Sequence, residues 1–177
     1  MSKNTVIINR APVLTLWGAV VAERLGFDRE TSLTLGKALA GLNAQAKGRR
    51  LGIFSQPKLP PGEHPKKHGL GEEFWIELCG RPIPAKNTEQ GVRAVVKDAP
   101  IDPEKVQGYL ERALGEDLAR TREAMVELSR AAKPDDLAEN AFRLYEKFRP
   151  QISRGRRGWG QKGELDLKTI RSLADEL

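Results

Sequence analysis

Residues 12–47 constrain the fold of this chain most strongly, because they combine two helical patterns with a turn between them. In the first half, apolar side chains recur at helical spacing, at Val13, Leu16, Trp17, Val20, Val21 and Leu25. Pro12 suits the start of a helix, where its missing N–H costs no hydrogen bond. Gly26 can adopt the positive φ that closes a helix, and Asp28 can cap the next one. We therefore predict a helical hairpin over residues 12–48, with its turn at residues 25–28.

The turn of this hairpin resembles the helix-turn-helix signature of DNA-binding proteins, over residues 18–37. Ala22, Leu25 and Gly26 fit the small, apolar and glycine positions around the turn. The resemblance implies that one set of residues would lie near a major groove, namely Asp28, Arg29, Glu30, Thr31 and Thr34.

Two features of the same window favour an ordinary helical hairpin that only builds the core. Ser32 occupies a position where the signature has an apolar residue, and the carboxylates of Asp28 and Glu30 would repel phosphate. The second helix is also longer than a usual recognition helix. Both interpretations of the hairpin stay open at the level of sequence.

The remaining residues predict a mainly helical α+β fold. Residues 52–72 form a Pro- and Gly-rich loop, and residues 74–79 and 92–96 have the composition of strands, with residues 80–84 as a break between them. Asp102 and Asp166 precede helical patterns as caps. We predict five or six helices around one core, with a small β-ribbon at about residues 73–97. The expected core residues include Trp17, Leu39, Leu42, Phe142 and Tyr145.

Composition is consistent with one globular domain over residues 1–177, divided into the helical hairpin 12–48, the loop 52–72, the ribbon 73–97, helices 102–149 and a basic glycine loop with a last helix at 150–177. Apolar residues make up 39% of the chain and charged residues 31%. The single cysteine, Cys79, excludes an intramolecular disulfide. No apolar run approaches the roughly 20 residues that span a bilayer. We expect a cytoplasmic protein with no membrane partner.

Charge is distributed unevenly along the chain, whose formal net charge is +6. Residues 147–171 carry eight basic residues against two acidic ones, Glu164 and Asp166, whereas residues 98–146 carry twelve acidic and seven basic residues. Residues 47–67 contain a second basic excess. A basic surface of this kind favours a polyanionic partner, because binding releases the counterions condensed on phosphates.

The densest basic segment, residues 153–163, combines arginines, glycines and a tryptophan. Arginine forks match phosphate oxygens, glycine permits close approach of the backbone, and an indole can stack on a base. The candidate nucleic-acid-binding residues here are Arg154, Arg156, Arg157, Trp159 and Lys162. A second candidate arm consists of Lys47, Arg49, Arg50, Lys66 and Lys67. The ribbon residues Arg81, Lys86, Arg93 and Lys97 are expected to extend the same patch.

The chain lacks the sequence motifs that indicate common catalytic sites. It has neither a phosphate-binding Gly-rich loop followed by Lys-Ser/Thr nor a Gly-x-Ser-x-Gly elbow. His64, His68 and Cys79 offer at most three metal ligands, and Pro65 argues against a helix that would align the two histidines. We predict no enzymatic activity, no catalytic residue, no cofactor and no metal. A hydrolase or metal enzyme built on a His–Cys–carboxylate pocket is the alternative.

Two short segments carry a resemblance to a protein family: Arg-Ala-Pro-Val-Leu-Thr-Leu-Trp at residues 10–17 and Arg-Gly-Trp-Gly at residues 157–160. In these the chain is similar to a family of small, basic, uncharacterised bacterial proteins for which a DNA-binding role has been suggested. The resemblance implies nucleic-acid binding without fixing a contact residue.

We expect binding of double-stranded DNA through phosphates, with low sequence specificity. The alternatives are a sequence-specific regulator of the helix-turn-helix type and a protein-interaction module with an acidic partner. RNA in place of DNA, and assembly as a homodimer, stay open.

Overall fold

The first helix, α1 (Arg10–Arg24), is enclosed by protein on all sides. In the computed structural model, which describes residues 4–49, 73–97, 99–151 and 162–177, every residue of α1 from 12 to 22 is buried. The indole N–H of Trp17 donates to the carbonyl oxygen of Ala141 at 2.9 Å, so even its polar atom is satisfied inside the protein. A helix that is apolar on all faces must be surrounded by other elements. α1 is therefore the axis on which the fold is assembled.

The second helix, α2 (Arg29–Arg49), folds back along α1 after a short turn, as predicted. Gly26 closes α1 with a φ of +111°. The two helices touch at glycines, because a Cβ on Gly36 would lie 2.2 Å from the carbonyl oxygen of Thr15 and 2.9 Å from the amide nitrogen of Ala19. No other pair of elements in the described residues makes a more extensive contact. The predicted hairpin is thus confirmed, and its glycines permit the close approach.

Four further helices complete the helical part within the described residues, which confirms the predicted mainly helical α+β class with five or six helices. They are α3 (Pro103–Leu114), α4 (Leu118–Ala131), α5 (Pro134–Phe148) and α6 (Leu167–Glu176), with a 3-10 turn (Gly115–Asp117) before α4. Both predicted caps are present. The carboxylate of Asp102 accepts from the amide of Glu104, and that of Asp166 accepts from the amide of Lys168, each at 2.9 Å.

An antiparallel sheet follows at the predicted place, but it is larger than the predicted ribbon. Its order is β2 (Glu73–Leu78), β3 (Arg81–Thr88), β4 (Gly91–Val96) and β5 (Ala99–Pro100). The expectation that residues 80–84 interrupt the ribbon was wrong.

Two observations explain why residues 80–84 do not interrupt the sheet. Cys79 and Gly80, with φ of +51° and +78°, form a tight two-residue turn that leads straight into β3. The nitrogens of Pro82 and Pro84 point away from β2, toward the edge of β3 that pairs with β4. β4 pairs only with Ala85 to Thr88 on that edge, so it does not reach either proline. No ladder hydrogen bond is lost there.

A second, two-stranded sheet joins the two ends of the described chain. β1 (Thr5–Asn9) pairs antiparallel with β6 (Lys162–Asp166), so that Asn9 lies opposite Lys162. On the other edge of β6, Gln151 and Glu164 exchange backbone hydrogen bonds of 2.9 and 3.0 Å. Residues 151 and 162–164 are therefore held together beside the start of α1.

The buried residues form one contiguous cluster around α1. Of the predicted core residues, Trp17, Leu39 and Tyr145 are fully buried, whereas Leu42 and Phe142 are half-buried at the edge of the cluster. The rings of Trp17 and Tyr145 both meet Phe148 edge to face, with centroids 5.3 and 5.8 Å apart. Among the described helices, none has the length and apolar character needed to cross a membrane.

Candidate nucleic-acid interface

Several segments with basic residues converge where α1 begins. α5 runs antiparallel to α1, because Trp17 bonds to Ala141 near the middle of α5 while Arg10 bonds to Pro150 just beyond its end. α2 is antiparallel to α1, and Gly36 of α2 contacts Gly18 of α1. Arg49 is further from Gly36 in sequence than Arg10 is from Gly18, so α2 extends as far as the start of α1 and beyond it. The last turns of α2 therefore lie at the same end. We call this part of the molecule the basic end. Its described members are Arg10, Lys147, Arg149 and Lys162, together with the end of α2 that carries Lys47 and Arg49.

Arg10 is fixed at the basic end by a long-range hydrogen bond. Its Nε donates to the carbonyl oxygen of Pro150 at 3.0 Å, and its own carbonyl oxygen accepts from the hydroxyl of Tyr145 at 3.4 Å. The amide of Arg149 donates to the carbonyl oxygen of Tyr145 at 2.7 Å and ends α5. Two hydrogen bonds, one to Pro150 and one from Tyr145, thus hold the first residue of α1 against the end of α5.

Burial is the main influence on the titratable groups of this corner, and the charges of Arg10 and Arg149 add to it. Burial lowers the pKa of the Arg10 guanidinium, and the positive charge of Arg149 lowers it further. Burial raises the pKa of the Tyr145 hydroxyl, and both arginines act in the opposite direction. The carboxylate of Glu146 raises the pKa of the same hydroxyl, so charges of both signs act on it. Within the described ranges, the ion pairs are made by other arginines, Arg93, Arg120 and Arg122.

Two lysines of the basic end, Lys147 and Lys162, face solvent. Lys147 lies in the last turn of α5, and Lys162 is the first residue of β6; both are exposed. Lys162 is opposite Asn9, whose side-chain oxygen is buried and has no hydrogen-bond partner in the described residues. Lys162 is the one residue of the first predicted arm that the structure describes.

Most of the predicted site residues lie outside the described residues. These are Arg154, Arg156, Arg157 and Trp159 of the first arm and Arg50, Lys66 and Lys67 of the second. For Lys47 and Arg49 only the backbone of α2 is described. The two residues that flank the stretch 152–161, Gln151 and Lys162, both belong to the basic end. The backbone pairing of Gln151 with Glu164 therefore fixes where this stretch leaves and rejoins the described fold.

One predicted extension of the patch is wrong. Arg93 was expected to present its charge on the ribbon, but it is only 5% exposed and pairs with Glu30 at 3.1 Å. Its guanidinium also donates to the carbonyl oxygens of Gln90 and Val92. Arg93 joins β4 to the start of α2 and has a structural role. Arg81 and Lys86 are half-buried and Lys97 is exposed on the same sheet.

In a helix-turn-helix protein the second helix reads the bases. Here that helix is α2, and it packs the corresponding residues against the sheet. Thr31 Oγ1 donates to the carbonyl oxygen of Val92 at 2.8 Å, and Thr34 Oγ1 accepts from the amide of Ala94 at 3.0 Å. Both threonines are buried, and so is Ser32. The two threonines assigned to the major groove by the resemblance are therefore covered by β4. Ser32, the departure from the signature, bonds to the carbonyl oxygen of Phe27 within the turn.

At the opposite end of α1, arginines bind to other parts of the protein. Arg24 donates through Nε to Ser129 and through Nη2 to Ala132, two carbonyl oxygens at the end of α4. Arg122 donates to both carboxylate oxygens of Glu23 at 3.0 and 3.2 Å. A cleft of about 320 Å³ lies between these groups and is lined by Val20, Glu23, Arg24, Arg122, Val126, Ser129 and Arg130.

Cys79 is buried beside the tight turn of the sheet, and burial raises the pKa of its thiol to about 12. A thiol with such a pKa is not a ready nucleophile at neutral pH. His64 and His68 lie outside the described residues. Within the ranges that the structure describes, no group of three or more His, Cys, Asp or Glu side chains is placed to hold a metal ion.

No family model, curated protein or solved structure matches this chain. The candidate site is therefore argued from its own charges and contacts. Sequence reasoning missed Arg10 and Arg149 as site residues, because 140 positions separate Arg10 from the Pro150 carbonyl that it binds. The available signals were that Arg10 opens the Arg-Ala-Pro segment and that Arg149 lies in the most basic part of the chain.

Proposed function

We propose that this protein binds nucleic acid, and double-stranded DNA in particular, through phosphate contacts with low sequence specificity. The contact surface is the basic end together with the two basic stretches of sequence that adjoin it. Arg154, Arg156, Arg157 and Lys162 neutralise backbone charge, Trp159 stacks or braces the segment, and Lys47, Arg49, Arg50, Lys66 and Lys67 form the second arm. No catalytic step is part of this proposal.

The observation that carries the proposal is the convergence of separate basic segments at one end of α1. The end of α2, the end of α5 and β6 come from distant parts of the chain and each carries basic residues, of which Lys147 and Lys162 are exposed. Residues 50 and 152–161, the neighbours of these elements in sequence, include four further arginines. A concentrated positive surface attracts a polyphosphate and gains free energy from the counterions it releases.

Low specificity follows from what the residues at this end can contact. Arginine and lysine at a surface donate mainly to phosphate oxygens, which are the same for every sequence. The groups that a helix-turn-helix protein would use to read bases are here buried against β4, at Thr31 and Thr34. This burial supports phosphate binding over sequence-specific regulation by α2.

The direct test is a mobility-shift titration of a random-sequence duplex at several salt concentrations. The variant R154A/R156A/R157A is compared with a matched control, R112A/R130A/K133A, which removes the same charge from exposed positions away from the basic end. For the wild type we expect log K to fall linearly with log salt concentration. Each arginine that contacts a phosphate contributes about 0.9 to that slope, so the first variant has a shallower slope and lower affinity.

The control separates a local site from net charge. We expect R112A/R130A/K133A to keep the wild-type slope, with a small loss of affinity that disappears at higher salt. Equal affinities and slopes for both variants would show that the proposed arm is wrong. A wild type that binds neither duplex DNA nor RNA at low salt would overturn nucleic-acid binding and favour a protein partner.

A further inference from the structure

Within the described residues, β1 has a strand partner on only one of its two edges. β6 pairs with it along that edge, and no described residue forms a bridge along the other. Ile7, at the middle of β1, is 58% exposed, whereas its neighbours Val6 and Ile8 are buried in the core. β1 therefore combines an open edge with an exposed apolar side chain at its centre.

The hydrogen bonds of β6 reveal which backbone groups of β1 face the open edge. Glu164 directs its N–H and its carbonyl oxygen to Gln151, at 3.0 and 2.9 Å, and so away from β1. Ile7 lies directly opposite Glu164. Opposite residues of an antiparallel pair alternate between exchanging two hydrogen bonds and exchanging none. The N–H and carbonyl of Ile7 therefore point away from β6, and neither bonds to a described residue.

The other edges of the described sheets are protected against pairing, and the edge of β1 is not. β2 carries two exposed carboxylates, Glu73 and Glu77, and β5 has only two residues, one of them Pro100. Gln151 pairs with the outer edge of β6. Charges, prolines and short strands commonly prevent association through sheet edges. β1 contains neither a charge nor a proline, so two copies can approach along it without like charges opposite each other.

We propose that β1 pairs with β1 of a second copy, antiparallel and centred on Ile7. The open site is self-complementary, because a twofold axis at this residue places the N–H of each Ile7 against the carbonyl oxygen of the other. The two exposed isoleucine side chains then lie on the same face as direct cross-strand neighbours and cover each other. The product is one continuous sheet in the order β6, β1, β1, β6 across the two copies.

This pairing would bring two basic ends to one sheet. Arg10 follows β1 directly, three residues beyond Ile7, and Lys162 lies opposite Asn9. At about 3.4 Å per residue, the two copies of Arg10 stand about 20 Å apart along the paired strands. The pairing itself needs no nucleic acid and does not depend on the proposed function.

The first experiment measures molar mass by sedimentation equilibrium, without nucleic acid, over a range of protein concentrations. The variant I7K places two ammonium groups opposite each other at the axis. The matched control V96K makes the same change at a side chain of β4 that is 50% exposed. We expect the wild type and V96K to dimerise alike and I7K to associate about tenfold more weakly. Added salt should not weaken the wild-type dimer, because no pair of opposite charges holds it together.

The second experiment tests the register by disulfide formation. Opposite residues of a hydrogen-bonded antiparallel pair have Cα atoms about 5.5 Å apart, within the range that a disulfide spans. Under mild oxidation I7C should form a covalent dimer and V96C should not, while the native Cys79 is buried and stays unreactive. I7C also tests the pairing if I7K does not fold.

Three results would overturn the pairing of β1: a wild type that stays monomeric at every concentration, an I7K variant that dimerises like V96K, or an I7C variant that forms no covalent dimer. The first result would leave the open edge to an extended segment of a different protein. A dimer that depends on Ile7 but binds no duplex supports the pairing and rejects the proposed function. A monomer that binds the duplex does the reverse.

Discussion

The two ends of α1 both carry arginines, but the surroundings of those arginines differ. At the end of α1, Arg24 binds two carbonyl oxygens of α4, and Arg122 binds the carboxylate of Glu23. At its start, Arg10 binds the carbonyl oxygen of Pro150, neither Arg10 nor Arg149 makes an ion pair with the described residues, and Lys162 is exposed nearby. The first group of charges is bonded within the fold, whereas the second has no carboxylate partner among the described residues.

This difference gives a criterion for separating structural from functional charge in the molecule. An arginine whose donors are satisfied by protein groups contributes to stability, and its removal leaves orphaned acceptors. An exposed arginine or lysine without such partners contributes little, and its removal changes stability by less than about 0.5 kcal/mol. Arg93 illustrates the first case, because the sequence placed it in the binding patch and the structure places it in an ion pair with Glu30. The size of the stability change on substitution therefore distinguishes charges bonded within the fold from those that are not.

The largest expected effect comes from the contact that brings the basic segments together. In G36A the new Cβ would meet the carbonyl oxygen of Thr15 at 2.2 Å and the amide nitrogen of Ala19 at 2.9 Å. Both are backbone atoms of the buried helix α1 and cannot move aside, so α2 must separate from α1. We expect a loss of about 3 kcal/mol in the free energy of unfolding, measured by urea denaturation, together with weaker duplex binding.

The matched control for this substitution is G41A on the same helix. A Cβ at Gly41 has no other atom within 4 Å, and the position is exposed. Alanine should stabilise the helix there by up to about 1 kcal/mol, since glycine is the poorer helix former. If G36A were as stable as G41A, the close antiparallel packing of α1 and α2 would be incorrect, and with it the position of the second arm.

A smaller effect is expected for R24M at the end of α1. The substitution removes two charge-assisted hydrogen bonds, to Ser129 and Ala132, and a cation at the C-terminus of α4. We expect a loss of about 2 kcal/mol in urea denaturation and unchanged duplex affinity. R130M, at an exposed position on the last turn of α4, serves as its control and should change stability by less than about 0.5 kcal/mol. Equal stabilities of the two variants, or a DNA-binding defect confined to R24M, would contradict the assignment of Arg24 to the fold.

Much of the fold could be predicted because local signals agree with it. The hairpin has a glycine at the position that requires positive φ, and Asp102 and Asp166 cap helices whose starts they mark. The strand β3 was missed for a tertiary reason. Pro82 and Pro84 read locally as breakers, and they are tolerated only because β4 leaves β3 before reaching them. Beyond that point β4 pairs with β5 at Val95 and Val96, which no local pattern reveals.

For the candidate site as well, local features could be predicted from the sequence and long-range contacts could not. The excess of basic residues after α5 is a property of the sequence and could be counted there. The placement of Arg10 against Pro150 depends on a contact between the start and the end of the chain, through the pairing of β1 with β6 and the antiparallel packing of α5 on α1. Likewise, the burial of Thr31 and Thr34 depends on a sheet that follows them by about sixty residues. Charge could be predicted; its environment could not.

The most direct test of nucleic-acid binding at the basic end is a lysine footprint. The protein is acetylated briefly with and without a saturating random-sequence duplex at low salt, and the modification of each lysine is quantified by mass spectrometry. We expect the duplex to slow acetylation of Lys147 and Lys162 at the basic end, and to leave unchanged the equally exposed Lys105 and Lys133, which lie away from it. Protection of Lys105 or Lys133 in place of Lys147 and Lys162, or no protection at any of the four, would contradict the account.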